Sequence, residues 1–268
     1  MRRRNLTELA QNPDLISGIY NYCDRWCERC PLTSRCLVYA TEQEDDDSPE
    51  SHDIRNEAFW RKLGSIFQET REMIVEWAKE ADINLFESTE ADEAWHHRKR
   101  QLVDNHPLTK AGKKYANAAS DWLREFDQTM VGGDLRLTEA DFDHSQSLED
   151  AREVIQWYQY QIAVKTMRAL SGRREELEED AELAEFPKDS DGSAKVALIG
   201  IDRSIAAWRL MQMCLPERTA SIVPLILQLE LLRQSLEKGF PEARDFVRPG
   251  FDEVDPSTDY TDRHREFA

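Results

Sequence analysis

The chain has 268 residues, long enough to bury a substantial core without covalent staples. Its 35 Lys and Arg stand against 53 Asp and Glu, a formal charge of -18, which opposes broad non-specific binding to nucleic acid or to anionic membrane surfaces. Ten glycines and ten prolines among 33% charged residues favour long helices over many short strands, and no apolar run reaches the ~20 residues needed to span a bilayer.

The opening MRRRNLTELAQNPDL is basic but carries no apolar stretch or small-residue cleavage site, so it reads as the mature start of a cytoplasmic protein, where disulfides are disfavoured. Residues 1–40 are expected to form a module of their own: a short helix from Pro13 capped by Asn12, then a cysteine-rich loop. The acidic TEQEDDDSPESHD, within 41–53, solvates itself and reads as a linker. From Ile54 the apolar residues Phe59, Leu63, Ile66, Phe67, Ile74 and Trp77 recur at three- and four-residue steps, which predicts an amphipathic helix. A second helix follows Pro107, with Tyr115, Ala119, Trp122, Leu123 and Phe126 on one face, and VGGD at 131–134 ends it. Ser147 precedes a third, aromatic-rich helix that runs on into the acidic REELEEDAELAEF.

DSDGS at 189–193 reads as a turn with Ser193 as N-cap of a fourth helix, Ala194 to about Cys214, which Pro216 stops. A fifth helix carries Pro224, which either kinks it or marks its first turn. Residues 248–268 are polar and turn-rich and are expected to be extended or disordered. The fold class is therefore all-α: an up-and-down bundle of four to five long helices over 54–247, with an N-terminal cysteine-rich metal-binding loop.

That loop, YCDRWCERCPLTSRC, sets Cys23, Cys27, Cys30 and Cys36 within fourteen consecutive positions of a chain with one other cysteine, Cys214. Thiolates are soft ligands for zinc or iron–sulfur clusters, and the two-residue gap between Cys27 and Cys30 lets both sulfurs face one centre. Zinc sites usually draw two ligand pairs from more distant segments, so the compact set favours a 4Fe-4S cluster over zinc. Structural zinc, disulfides and free thiols are the alternatives. Cys214, at the end of an apolar helix, reads as a core residue.

The part CERCPLTSRC, with proline after the second cysteine, resembles the 4Fe-4S loop of endonuclease III and MutY-type DNA glycosylases, and the same triplet is similar to cluster ligands of RecB-type nucleases and radical SAM enzymes. The resemblance covers about fourteen residues and implies a cluster held by Cys23, Cys27, Cys30 and Cys36. The catalytic parts of those families are missing here: no helix-hairpin-helix, no nuclease strand motifs before QWYQY, and no barrel after the cysteines. More loosely, ISGIYNYCDRWCERC looks like the opening of uncharacterised bacterial helical proteins.

Arg25, Arg29 and Arg35 interleave with the cysteines, either neutralising a four-thiolate site or, with Arg2, Arg3 and Arg4, forming a local phosphate- or partner-binding patch. Tyr20, Tyr22 and Trp26 would shield the site or simply pack beside it. Charged residues on otherwise apolar helices mark a second candidate: Glu153, Lys165, Asp202 and Arg203, with Trp157 and Tyr160, line a catalytic pocket or form a structural ion-pair network. Glu93 and His96 match half of a dinuclear carboxylate motif, but in a polar segment, and the Glu69, Glu72, Glu76 and Glu80 stripe reads as a solvated face.

The functional expectation is a metal-binding helical protein whose 4Fe-4S cluster serves electron transfer, redox sensing or structure, with a redox or protein partner. The alternative is a non-enzymatic interaction protein with a structural four-cysteine zinc site. No motif identifies a reaction or substrate.

Overall fold

A computed structural model describes residues 12–43, 50, 53–80, 90–131, 142–176 and 188–253. Arg2, Arg3 and Arg4, most of the acidic linker, the glycines of VGGD, the acidic stretch after Glu176 and the last residues, 254–268, lie outside the described residues. The fold is all-α. Seven α-helices are present among the described residues: α1 (Leu37–Gln43), α2 (Glu57–Glu80), α3 (Glu90–Asn105), α4 (Pro107–Val131), α5 (Phe142–Glu176), α6 (Asp189–Cys214) and α7 (Thr219–Gly239). No described helix is long and apolar enough to cross a membrane.

The chain divides into two compact units, 1–17 with 30–99 and 18–29 with 100–268. Gly18–Arg29, which the sequence groups into a 1–40 module, thus belongs with the helices of the second unit. The first unit holds α1, α2 and most of α3. On α2 the expected amphipathic spacing is present, but Trp60, Phe67, Ile74 and Trp77 are exposed. Asn12 makes a turn and not a helix: its carbonyl accepts from the Leu15 amide at 3.1 Å and its side chain from the Asp14 amide at 3.0 Å. Asn and Asp side chains that bond their own backbone in this way compete with helix formation.

The second unit is a four-helix bundle. α4 packs on α5, α5 on α6, α6 on α7 and α7 back on α4, closing a ring. Residue numbers run in opposite senses across each pair. Asp127 meets Arg152 while the Gly112 backbone meets Ala163, and Gly200 abuts Tyr158 while Gly172 abuts Ser190. Likewise Arg209 pairs with Glu230 and Asp202 with Arg233, and Trp122 bonds Ser221 while Leu108 lies beside Gly239. All four neighbours are antiparallel, so the topology is up-down-up-down.

The core follows the apolar stripes. Tyr115, Ala119, Trp122, Leu123 and Phe126, the predicted face of α4, are all buried. At the centre Trp208 meets Trp122 edge-to-face at 4.9 Å and donates its indole N–H to the Tyr115 hydroxyl at 3.0 Å. Burial pushes the Tyr115 pKa up to about 12, so this hydroxyl stays protonated and hydrogen-bonding throughout the neutral range. Cys214 packs against the core, half-buried, and burial raises its thiol pKa.

Two boundaries differ from the sequence reading. α6 begins at Asp189, four residues before Ser193, so DSDGS is its first turn. Asp189 and Asp191 there complement the positive end of the helix dipole. Gly192 has a packing reason: a Cβ at that position would lie under 3.0 Å from ring atoms of Tyr22 and Phe246. α5 begins at Phe142, placing Ser147 inside the helix. Pro224 sits within α7, past its first turn. Of the segment from 248, residues up to 253 form a turn in which Asp252 accepts from Arg248 at 2.9 Å and pairs with Lys195 at 2.8 Å.

Candidate functional site: the cysteine loop and its anchor on the bundle

Within the second unit, residues 18–29 run in short turns over one face of α5 and α6. Gly18 takes a left-handed φ of 72°, and a 3-10 turn spans Ile19–Asn21, with Ile19 buried. A second 3-10 turn covers Cys27–Arg29. Internal hydrogen bonds of these turns span two or three residues, as from the Asn21 N–H to the Gly18 carbonyl and from the Arg29 N–H to the Trp26 carbonyl, and contacts with α5 and α6 add the long-range grip.

The grip centres on Asp24, the residue after Cys23. Its carbonyl oxygen accepts from the Trp157 indole N–H at 2.9 Å and from the Gln161 side-chain amide. Its carboxylate accepts from the Tyr158 hydroxyl at 2.5 Å, from the Arg203 guanidinium at 2.7 Å and from the Trp26 amide at 3.2 Å. Arg203 also donates to the Tyr158 oxygen. On α5, Gln161 lies four residues after Trp157 and three after Tyr158, the two spacings that make side chains neighbours on a helix surface. Tyr158 is fully buried; burial, then the bond to the Asp24 carboxylate, raises its hydroxyl pKa well above the ordinary value.

Both flanks of Asp24 are also tied down. Upstream, the Lys165 ammonium donates to the Asn21 carbonyl at 3.0 Å; burial lowers its pKa, while the nearby Cys23 and Asp189 act in the opposite direction. Downstream, Trp26 is 6% exposed and stacks on Trp157 at 5.1 Å. The Arg29 guanidinium lies 4.3 Å from the Trp26 ring centre and pairs with Asp150 and Glu153 of α5. Tyr22 packs on Phe246 at 4.8 Å. Between these anchors Arg25 adopts φ 58°, a left-handed conformation costing about 1 kcal/mol or more for a residue with a side chain.

The sequence-predicted residues therefore fall into distinct places. Glu153, Trp157, Lys165 and Arg203 converge on the cysteine loop as its anchors. Asp202 points elsewhere, pairing with Arg233 at 3.3 Å and Arg244 at 2.6 Å. Tyr160 is 53% exposed, and the tyrosine in the network is Tyr158, two residues away and on the opposite side of the helix. Arg29 spends its charge on α5 carboxylates. In the first unit, Arg35 donates to the Asp14 carbonyl at 3.3 Å. Glu93 and His96 are exposed on α3, as are Glu72, Glu76 and Glu80 on α2; the side chain of Glu69 lies outside the described residues.

Cys23 and Cys27 belong to the second unit, Cys30 and Cys36 to the first. All four are free of disulfides and partly exposed, and the Cys23 thiol faces the Tyr20 carbonyl at 3.5 Å. Four reduced thiols are a donor set suited to a soft metal. Among the described residues, no three Cys, His, Asp or Glu side chains stand close enough together to share a metal ion. Sequence reasoning missed Asp24 and Gln161; a single aspartate between two cysteines carries no local signal of partners 134 and 179 residues away. No family model, curated protein or solved structure matches the chain.

Proposed function

We propose that this is a metal-binding helical protein whose N-terminal loop holds a 4Fe-4S cluster through Cys23, Cys27, Cys30 and Cys36, serving electron transfer, redox sensing or structure. The observation that carries the reading is that four cysteines stand within fourteen positions with no disulfide among them, at the end of a segment, 21–29, that Asp24 and Trp26 tie to the bundle. With ~3.5 Å of reach per residue, chain connectivity leaves the three gaps between successive cysteines short enough for four thiolates to share one centre. A bound cluster would supply one-electron chemistry, and the chain's part is to fix the ligand backbone and limit water access.

Structural zinc on the same four thiolates is the second reading, favoured by the extent to which the loop is woven into the bundle core through Trp26. Anaerobic purification followed by iron, acid-labile sulfide and zinc analysis separates the two. Four irons and four sulfides per chain with visible absorbance support the cluster. A colourless protein with one zinc supports the alternative, and a protein that takes up neither after reconstitution refutes both.

A further inference from the structure

We infer that Asp24 and the side chains that grip it form a positioning clamp which sets the backbone around Cys23 and Cys27 without any metal, so that metal affinity depends on Tyr158 and Arg203 although both bond Asp24 and not a cysteine. The inference rests on the metal-binding reading for its consequence, but the clamp itself is a property of the bundle.

Three observations carry it. Five donors converge on one residue: the Trp157 indole, the Gln161 amide, the Tyr158 hydroxyl, the Arg203 guanidinium and the Trp26 amide. The segment is held at three separated points, Asn21 by Lys165, Asp24 by this cluster and Arg29 by Asp150 and Glu153, which brackets Cys23 and Cys27. Finally, Arg25 sits at φ 58° directly after Asp24, a conformation that a free loop would abandon. In small metal domains the ligands are ordered by the metal, and binding free energy is folding free energy. Here the ordering is supplied by α5 and α6, so removing metal leaves residues 21–29 in place. Residues that orient ligands from one shell out typically change metal affinity 10- to 100-fold when replaced.

The test uses the full-length chain stripped with chelator. Hydrogen exchange should find the Trp26 and Arg29 amides, which donate to the Asp24 carboxylate and the Trp26 carbonyl, protected in the stripped wild type. Protection there should fall in Tyr158→Phe and in Arg203→Gln, the latter a side chain 55% exposed whose replacement leaves the core intact. Titration with cobalt(II), followed by thiolate-to-cobalt absorbance, should give roughly tenfold weaker binding for both variants. Asp202→Asn, one residue along α6 but directed at Arg233 and Arg244, should bind like wild type. Loop amides that exchange freely in the stripped protein, or variants that match wild type in both measurements, would overturn the clamp. Wild type that takes up no cobalt defeats the metal reading alone, because the exchange comparison still decides for or against the clamp.

Discussion

Replacing Asp24 with Ala isolates the hub of the loop anchor, and its cost can be built from the geometry. The Tyr158 hydroxyl, on a fully buried side chain, loses the acceptor at 2.5 Å; a buried donor left unmade costs about 1–3 kcal/mol. The Arg203 pair adds at most about 1 kcal/mol, because that side chain is 55% exposed. The Trp26 amide loses a turn-closing acceptor worth about 0.5–1 kcal/mol. The bonds from Trp157 and Gln161 go to the main-chain carbonyl and survive the substitution. The expected loss is about 1.5–5 kcal/mol, a fall in Tm of roughly 3–20 °C for a protein this size. Urea denaturation of the wild type, Asp24→Ala, Tyr158→Phe and the double variant gives the coupling directly. Removing both partners should cost less than the sum of the single losses by about 1 kcal/mol or more, since the orphaned hydroxyl is gone. Additive losses, or an Asp24→Ala cost below about 0.5 kcal/mol, would refute the hub.

Trp26→Ala should cost about 3–5 kcal/mol in the same assay, because the side chain is 6% exposed between Trp157 and Arg29; a loss near zero would mean that the loop does not lie on the bundle. Gly192→Ala gains helix propensity but drives a methyl into Tyr22 and Phe246, so the urea midpoint should fall by the equivalent of about 1–3 kcal/mol; a higher midpoint would contradict that ring packing. Arg25→Gly relieves a left-handed φ and should leave stability unchanged or raise it by up to about 1 kcal/mol, read from Tm. For Asp252, burial opposes ionisation but is outweighed by hydrogen bonds from Arg248 and Lys195, which hold the carboxyl far below its ordinary value. A depressed folded-state pKa means that its stabilisation is present above the unfolded value near 4 and is lost as pH falls from there. Asp252→Asn should therefore destabilise the protein at pH 7 and flatten its melting profile below about pH 4; parallel wild-type and variant profiles would sink the assignment.

The helical fold was legible wherever the signal was periodic and local. The α4 face from Tyr115 to Phe126 is buried as its three- and four-residue spacing predicts, and Pro107 opens that helix as the first residue. Legibility failed where a distant group decided the outcome. DSDGS has turn composition, and nothing nearby reveals that its glycine makes room for rings 170 and 54 positions away. Asn12 has cap chemistry, yet it closes a turn on itself. The polar segment EAWHHRKRQ gives no amphipathic pattern and is helical all the same, as part of α3.

The site divides along the same line. Four cysteines in fourteen positions announce themselves through spacing, because ligand geometry is a local demand on the backbone. Charged residues on apolar helices also announce themselves, but composition offers only two explanations, a pocket or an ion-pair network within the bundle. Glu153, Lys165 and Arg203 answer to a third: their partners are Arg29, Asn21 and Asp24, on a loop more than a hundred residues earlier in the chain. The start of the cysteine motif, residues 21–29, and three of the anomalous charges of α5 and α6, Glu153, Lys165 and Arg203, are thus two sides of one contact, while Asp202 pairs within the bundle. Each explains what the other left open. Charges are tolerated on these helices because the loop supplies a carbonyl, a carboxylate and a guanidinium to meet them, and a loop whose own hydrogen bonds are confined to short turns keeps a defined shape, strained Arg25 included, because those groups hold it.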